Sequence, residues 1–228
     1  MEVTINQRFV VPERSGTILV QGTDIWTLGA ESGRLLRYSG THDTDLRPVA
    51  PAPTVSDKDL ALCWDGARLI AADRTECTIS ELDPTDGRQT LISELKSLDF
   101  GEYSPDILSG HAVIGDIAWR DGVLYVAVQA GYSSAIYGID LGAGRVVSHR
   151  FAPGPKPSGI DFDPVDGSLH VIDSRNRELR RFSDSEKVDV AELPSEWVEP
   201  NGLSIAPDRS LWSTDISTGD VLRLRVED

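Results

Sequence analysis

The residues with the most chemistry in them open one recurring phrase: a short apolar strand, a turn rich in Asp, Gly or Pro, and a second apolar strand. Its last copy runs Pro200-Asn201-Gly202-Leu203-Ser204-Ile205, Pro207-Asp208, Leu211-Trp212-Ser213-Thr214-Asp215. The first positions of the copies are Ser15, Lys58, Gly115, Ser158 and Asn201, followed by Gly16, Asp59, Asp116, Gly159 and Gly202. Glu13, Lys156 and Glu199 stand two residues ahead of three of these positions. Carboxylates such as Asp59 and Asp116, and the nearby His111, can act as general bases when a partly dry cavity tunes them toward neutral pKa. Asn201 can orient a substrate. Together with Asp116 and Asp59 it could also hold a hard cation, which takes several oxygen ligands. Lys58 could supply the cation's charge instead, while Ser158 and Glu199 add polar contacts for a bound molecule.

The elements that position these residues follow from the spacing. The first positions are 43, 57, 43 and 43 residues apart, and the long step carries a 14-residue insertion. A period of roughly 40–45 residues with short strands is the sign of a propeller blade. Five copies predict an all-β, five-bladed β-propeller of four-stranded blades in one domain spanning 1–228. The blades fall at about 14–52, 57–93, 114–152, 157–193 and 201–228. The last copy has three strands, and residues 2–10 are a spare strand-like segment. The N-terminal strand is therefore expected to close the last blade. Residues Ser93–Leu98 could form a brief helix at most.

In such a blade the first strand is innermost, so its first residues ring one mouth of the central channel, the usual place for a propeller site. The insertion, within 93–111, leads into that face and contains Phe100, Tyr103 and His111. Long loops on a regular scaffold are often functional. This one is expected to be a lid whose Phe100 and Tyr103 touch substrate, or else a loop packed on the rim. Asp73, Asp173 and Asp215 all end a second strand, which suits turn capping. Trp64 and Trp119 share one repeat position; Trp26, Tyr125, His170 and Trp212 share another. Both positions read as packing between blades, with His170 a core histidine.

Composition excludes several classes. The net charge is −15, from 37 acidic and 22 basic residues, with no cluster of Lys and Arg. Nucleic acid and anionic membrane surfaces are therefore poor partners. No apolar run reaches the roughly 18 residues of a membrane span. The first residues lack the pattern of a secretory leader, so a cytoplasmic location is expected. Cys63 and Cys77 are separated by a strand, about 9–10 Å, beyond the roughly 7 Å that a disulfide tolerates. Both are expected to be reduced. A monomer or weak homo-oligomer acting on a small molecule fits this composition.

The phrase Pro200-Asn201-Gly202-Leu203, Pro207-Asp208, Leu211-Trp212, Asp215 resembles the blade motif of the senescence-marker-protein/gluconolactonase (regucalcin-like) family. More loosely it is similar to NHL-type and strictosidine-synthase-like propellers. The regucalcin-like resemblance implies one divalent cation (Ca, Mg or Zn) held by residues opening the inner strands and activating water on a lactone. Asn201 matches such a ligand position directly. The equivalent positions otherwise carry Ser15, Lys58, Gly115 and Ser158, with Asp59 and Asp116 one residue further on, and the blades number five against the six usual there. Two function classes follow. One is a small-molecule enzyme at the channel mouth, a gluconolactonase-like hydrolase or a related biosynthetic enzyme. Its reaction would be lactone hydrolysis, or a metal-independent isomerisation, cyclisation or elimination. The other is a non-catalytic binding module for a protein or small ligand.

Overall fold

The computed structural model describes residues 1–39, 46–49, 52–103, 111–183 and 188–227. Alternating turns and short apolar runs form twenty strands among these residues, arranged as five four-stranded antiparallel sheets. Blade one holds β2 (Ser15–Gln21), β3 (Asp24–Gly29), β4 (Leu35–Ser39) and β5 (Arg47–Pro48). Blade two holds β6 (Leu60–Trp64), β7 (Leu69–Asp73), β8 (Thr78–Leu82) and β9 (Gln89–Glu94). Blade three holds β10 (Val113–Arg120), β11 (Val123–Ala130), β12 (Ser133–Asp140) and β13 (Arg145–Phe151). Blade four holds β14 (Pro157–Phe162), β15 (Leu169–Asp173), β16 (Glu178–Phe182) and β17 (Val188–Glu192).

Blade five is built from both ends of the described chain. Its order is β1 (Glu2–Phe9), β20 (Asp220–Glu227), β19 (Leu211–Asp215) and β18 (Pro200–Ile205). β1 pairs with β20 from Glu2 opposite Glu227 to Phe9 opposite Val221. The Phe9 ring stacks on Trp212 at 5.6 Å, and Arg8 Nη1 donates to Asp220 Oδ2 at 2.8 Å. The N-terminal strand thus closes the ring, as its spare place in the repeat predicts.

Position within a blade sets the pattern of burial. Inner strands have neighbouring blades on both faces, so they are mostly buried and carry short apolar runs, as Leu60–Cys63 and Leu203–Ile205 show. Outer strands such as β9 and β17 are largely open to water. Between blades lie apolar clusters, for example Trp26, Leu28, Leu60 and Leu69 between blades one and two. The predicted aromatic position faces the next blade: Tyr125 meets Phe162 edge to face at 4.7 Å, and Trp212 lies in the blade five–one cluster. Turns carry the residues their geometry requires. Asp121 and Gly122, both at positive φ (52° and 82°), form the tight β10–β11 hairpin. Asp73 Oδ1 accepts from Thr75 and Glu76 N–H, Asp173 Oδ1 from Arg175 and Asn176, and Asp215 Oδ1 from Ser217. These three aspartates cap their turns.

Among the described residues the outer strand of blade one is the two-residue β5, in which Pro48 lacks the N–H to extend a ladder. One sequence expectation is corrected here. The insertion does not reach over the channel mouth in its described part. Leu95–Ser97 make one 3-10 turn, and Leu95 and Leu98 bury in the blade two–three cluster with Phe100 against it. Asp99 N–H donates to Gly144 O at 3.0 Å, and Val146 N–H donates to Asp99 O at 2.8 Å. Gly144 lies in the turn between the third and fourth strands, so this segment runs down the rim, away from the mouth. Apolar burial against the blades outweighs a position over a polar opening. Residues 104–110 lie outside the described residues.

Candidate functional site

The five inner strands meet around the axis, and their free edges present backbone N–H groups that need acceptors. Side chains from neighbouring inner strands meet that need. Asp116 Oδ2 accepts from Ile160 N–H of blade four at 3.0 Å and from Leu203 N–H of blade five at 3.1 Å. Asp161 Oδ2 accepts from Ile205 N–H at 2.7 Å, and Ser204 Oγ accepts from Val20 N–H at 2.9 Å. One carboxylate therefore ties three blades together. Asp116 is 1% exposed. Burial pushes its carboxyl up to about 7, although Arg74 and three backbone N–H groups pull the other way. Burial likewise raises Asp161 to about 6 against its hydrogen bonds.

Glycines let the inner strands approach. Gly202 sits at φ 68°, and a Cβ there would lie 3.2 Å from Ile18 N. At Gly115 a Cβ would overlap the Pro157 carbonyl. The register shifts at Ile114/Asp116 and Asn201/Leu203 are the bulges these glycines occupy.

At the mouth, the sequence reading missed the central residue, Arg74. It follows the last residue of β7 and is 5% exposed. Its Nη2 donates to Gly16 O at 3.0 Å, and its Nε lies 3.3 Å from Asp59 Oδ1. Asn201 Nδ2 donates to the same Gly16 carbonyl. The available signal was local: Ala30, Ser174 and Ile216 occupy the comparable turn positions, donating their N–H groups back across the blade as Arg74 does. An arginine among small and apolar residues at one repeat position marks a special role.

The structure divides the expected site residues. Lys58, Asp59 and Asn201 line one pocket of about 220 Å³ between blades five, one and two, together with Gly16, Thr17 and Ile216. Lys58 Nζ donates to Glu31 O at 2.6 Å, and the Asp59 side chain is 70% exposed. Thr17 Oγ1 is buried in that wall without a hydrogen-bond partner among the described residues. Asp116 and Ser158 are instead inside the hub. Ser158 is buried and its Oγ donates to Pro200 O at 2.9 Å, which removes it from substrate contact. Glu199 and His111 are exposed and line none of the described pockets. Phe100 packs edge to face on Tyr137 at 5.5 Å, and Tyr103 donates its hydroxyl to Val147 O at 3.1 Å. Both therefore belong to the rim rather than the mouth. Glu13 caps the turn at Ser32, and hydrogen bonds there hold its carboxyl below the usual range despite burial.

The donor set at the mouth does not suit a divalent cation on Asn201, Asp116 and Asp59. Asp59 and the Gly16 carbonyl face the Arg74 guanidinium, Asn201 turns its amide nitrogen inward, and Asp116 Oδ2 serves two N–H groups. No cluster of three or more His, Cys, Asp or Glu among the described residues is arranged for a metal. Cys63 and Cys77 are both free. His170 is buried with Nε2 3.2 Å from Ser168 Oγ, while its Nδ1 has no hydrogen-bond partner among the described residues. Burial lowers its pKa to about 4. It is a core histidine, but only half satisfied.

Comparison with solved structures settles the architecture. The chain is a β-propeller. It is similar to glutaminyl cyclase of Myxococcus xanthus, with a TM-score of 0.65 and 12% identity over 98% of this chain and 95% of that one. It is also similar to regucalcin of Agrobacterium tumefaciens, a calcium-binding protein, with a TM-score of 0.59 and 13% identity over 98% and 94%. The β-propeller domain of Myceliophteria thermophila Cps50 (Swd1) gives a TM-score of 0.58 and 12% identity over 99% and 100%. No protein-family model matches the chain, and no curated protein matches it. At these identities the likeness is one of fold. Among the described residues no helix is long and apolar enough to cross a membrane.

Proposed function

We propose that the protein is a metal-independent enzyme acting on a small polar molecule in the channel-mouth pocket. The carrying observation is the exposed Asp59 carboxylate, backed by the buried Arg74 guanidinium, in the same small pocket as the Lys58 ammonium. Asp59 would take a proton from the substrate or from an attacking water. Lys58 would face the developing negative charge on a carbonyl oxygen, and Asn201 would help to shape the pocket. Arg74, which does not line the pocket, is a positioning residue: it fixes Asp59 and the Gly16 carbonyl. At about 220 Å³ the pocket is below the roughly 300–1,000 Å³ of sites for drug-sized ligands, which favours a compact substrate. Lactone hydrolysis, or an isomerisation, cyclisation or elimination beside a carbonyl, suits these groups. Propellers similar in fold include a glutaminyl cyclase, so cyclisation of a glutaminyl substrate belongs in the test.

The test is turnover of a panel of small lactones and glutaminyl peptides, with chelator and with added Ca²⁺ or Mg²⁺. Turnover should persist in chelator, and Asp59→Asn should lower it by about 10²-fold or more, the usual weight of a positioned base. Turnover that needs the added cation would overturn the metal-independent assignment.

A second reading is a binding module. It is favoured by the inward commitment of the hub's polar groups: Asp116, Asp161, Ser158 and Ser204 all bond to neighbouring backbone. No turnover across the panel, with ligand binding that survives Asp59→Asn, decides for it.

A further inference from the structure

A second pocket, of about 350 Å³, opens between blades three and four, away from the channel mouth. We infer that this slot binds a flat aromatic carboxylate, held between phenylalanine rings and arginine guanidinium groups. Blade four contributes the rings, Phe162 and Phe182. Blade three contributes the cations. Arg120 Cζ lies 5.2 Å from the Phe162 centroid, and Arg150 Cζ lies 4.7 Å from that of Phe182. Tyr125 meets Phe162 at 4.7 Å, and the Ser148 hydroxyl lies in the same wall. The slot falls within the size range of ordinary ligand pockets.

The two arginines differ in what they have left to give. Arg120 donates Nε to the Asp121 carboxylate at 3.1 Å and Nη1 to the Gly167 carbonyl, so it is fixed as a wall. Arg150 is exposed and has a ring contact but no carboxylate or carbonyl acceptor among the described residues. The ring contact takes up none of its N–H groups in a hydrogen bond to an acidic or carbonyl oxygen of the described residues, so they can serve a ligand. A guanidinium edge matches a carboxylate in two parallel hydrogen bonds. The rings offer planar apolar faces to the rest of the ligand. Gly138 permits the arrangement, because a Cβ there would overlap Ser148 Oγ and press on Tyr125. In a chain of net charge −15, an exposed arginine with no acidic partner among the described residues, beside two half-buried rings, is a local exception that suits an anion.

The experiment titrates 2-naphthoate and the neutral 2-naphthamide into the full chain by calorimetry. Naphthoate should bind at least about tenfold more tightly than the amide, a difference near 1.4 kcal/mol. Arg150→Gln should erase that preference while leaving amide binding within about twofold, because the ring walls remain. Phe182→Leu should weaken both ligands by at least about fivefold. Asp59→Asn, which alters the channel mouth, should change neither titration. Equal binding of the two probes, a preference that survives Arg150→Gln, or loss of binding in Asp59→Asn would overturn the assignment. Thermal melting of each variant separates lost binding from lost folding.

Discussion

At the scale of single residues, Asp116 is the point of tension in the molecule. Burial pushes its carboxyl up to about 7 in the fold, from an ordinary value of 3.8. Between those values the folded chain holds a proton that the unfolded chain lacks. Stability from this group is therefore full below 3.8 and is lost as pH rises through 7, at up to about 1.4 kcal/mol per unit. His170 acts with the opposite sign. Its pKa is lowered to about 4, so the unfolded chain takes up a proton first, and stability is lost as pH falls from 6.5 toward 4. Asp116→Asn keeps an oxygen acceptor for Ile160 and Leu203 and removes the charge. Measured by urea unfolding, it should gain on the wild type by a few kcal/mol (order of magnitude) between pH 4.5 and 7.5, since His170 is common to both. Asp116→Ala should instead lose about 1–3 kcal/mol per orphaned N–H at every pH. Arg74→Met should cost about 1–3 kcal/mol through the lost bond to Gly16 O, with little from the mostly exposed Asp59 contact. It should also be non-additive with Asp116→Asn in a double-mutant cycle, because the two charges interact.

At the scale of elements, the inner strands depend on glycine more than their sequence displays. Gly202→Ala should destabilise the fold by about 1–3 kcal/mol. It forces a side chain into φ 68° and against the Ile18 backbone, and thermal melting measures the loss. Repeat spacing made most of the elements legible. Strands recur at one period, and the missing outer strand of the last blade pointed to residues 2–10. What spacing could not convey was direction. Phe100 and Tyr103 belong to a segment leading into the mouth face, yet Leu95 and Leu98 draw it down the rim. Asp116 was legible as a polar group on the axis, but not as the acceptor for two other blades, because that pairing exists only after the ring has closed. Arg74 was illegible for a related reason: its partners Gly16 and Asp59 come from two different blades.

At the scale of the whole molecule, the ring is held from the centre and latched at its edge. Removing residues 1–9 should expose the β20 edge and strip Phe9 from Trp212. The expected result is aggregation, or a melting temperature lower by 10 °C or more, roughly the effect of a few kcal/mol in a chain of this size. Analytical ultracentrifugation and thermal melting read the two outcomes. The latch also constrains the order of events during synthesis. β1 is made before the strands of the other four blades, whereas β20, its ladder partner among the described residues, is made after them. Until β20 follows, an amphipathic strand must wait without a mate, as four nascent blades assemble beside it. Arg8 and the alternating polar residues Glu2, Thr4 and Asn6 give that waiting segment the charge and solubility that discourage premature pairing with other chains.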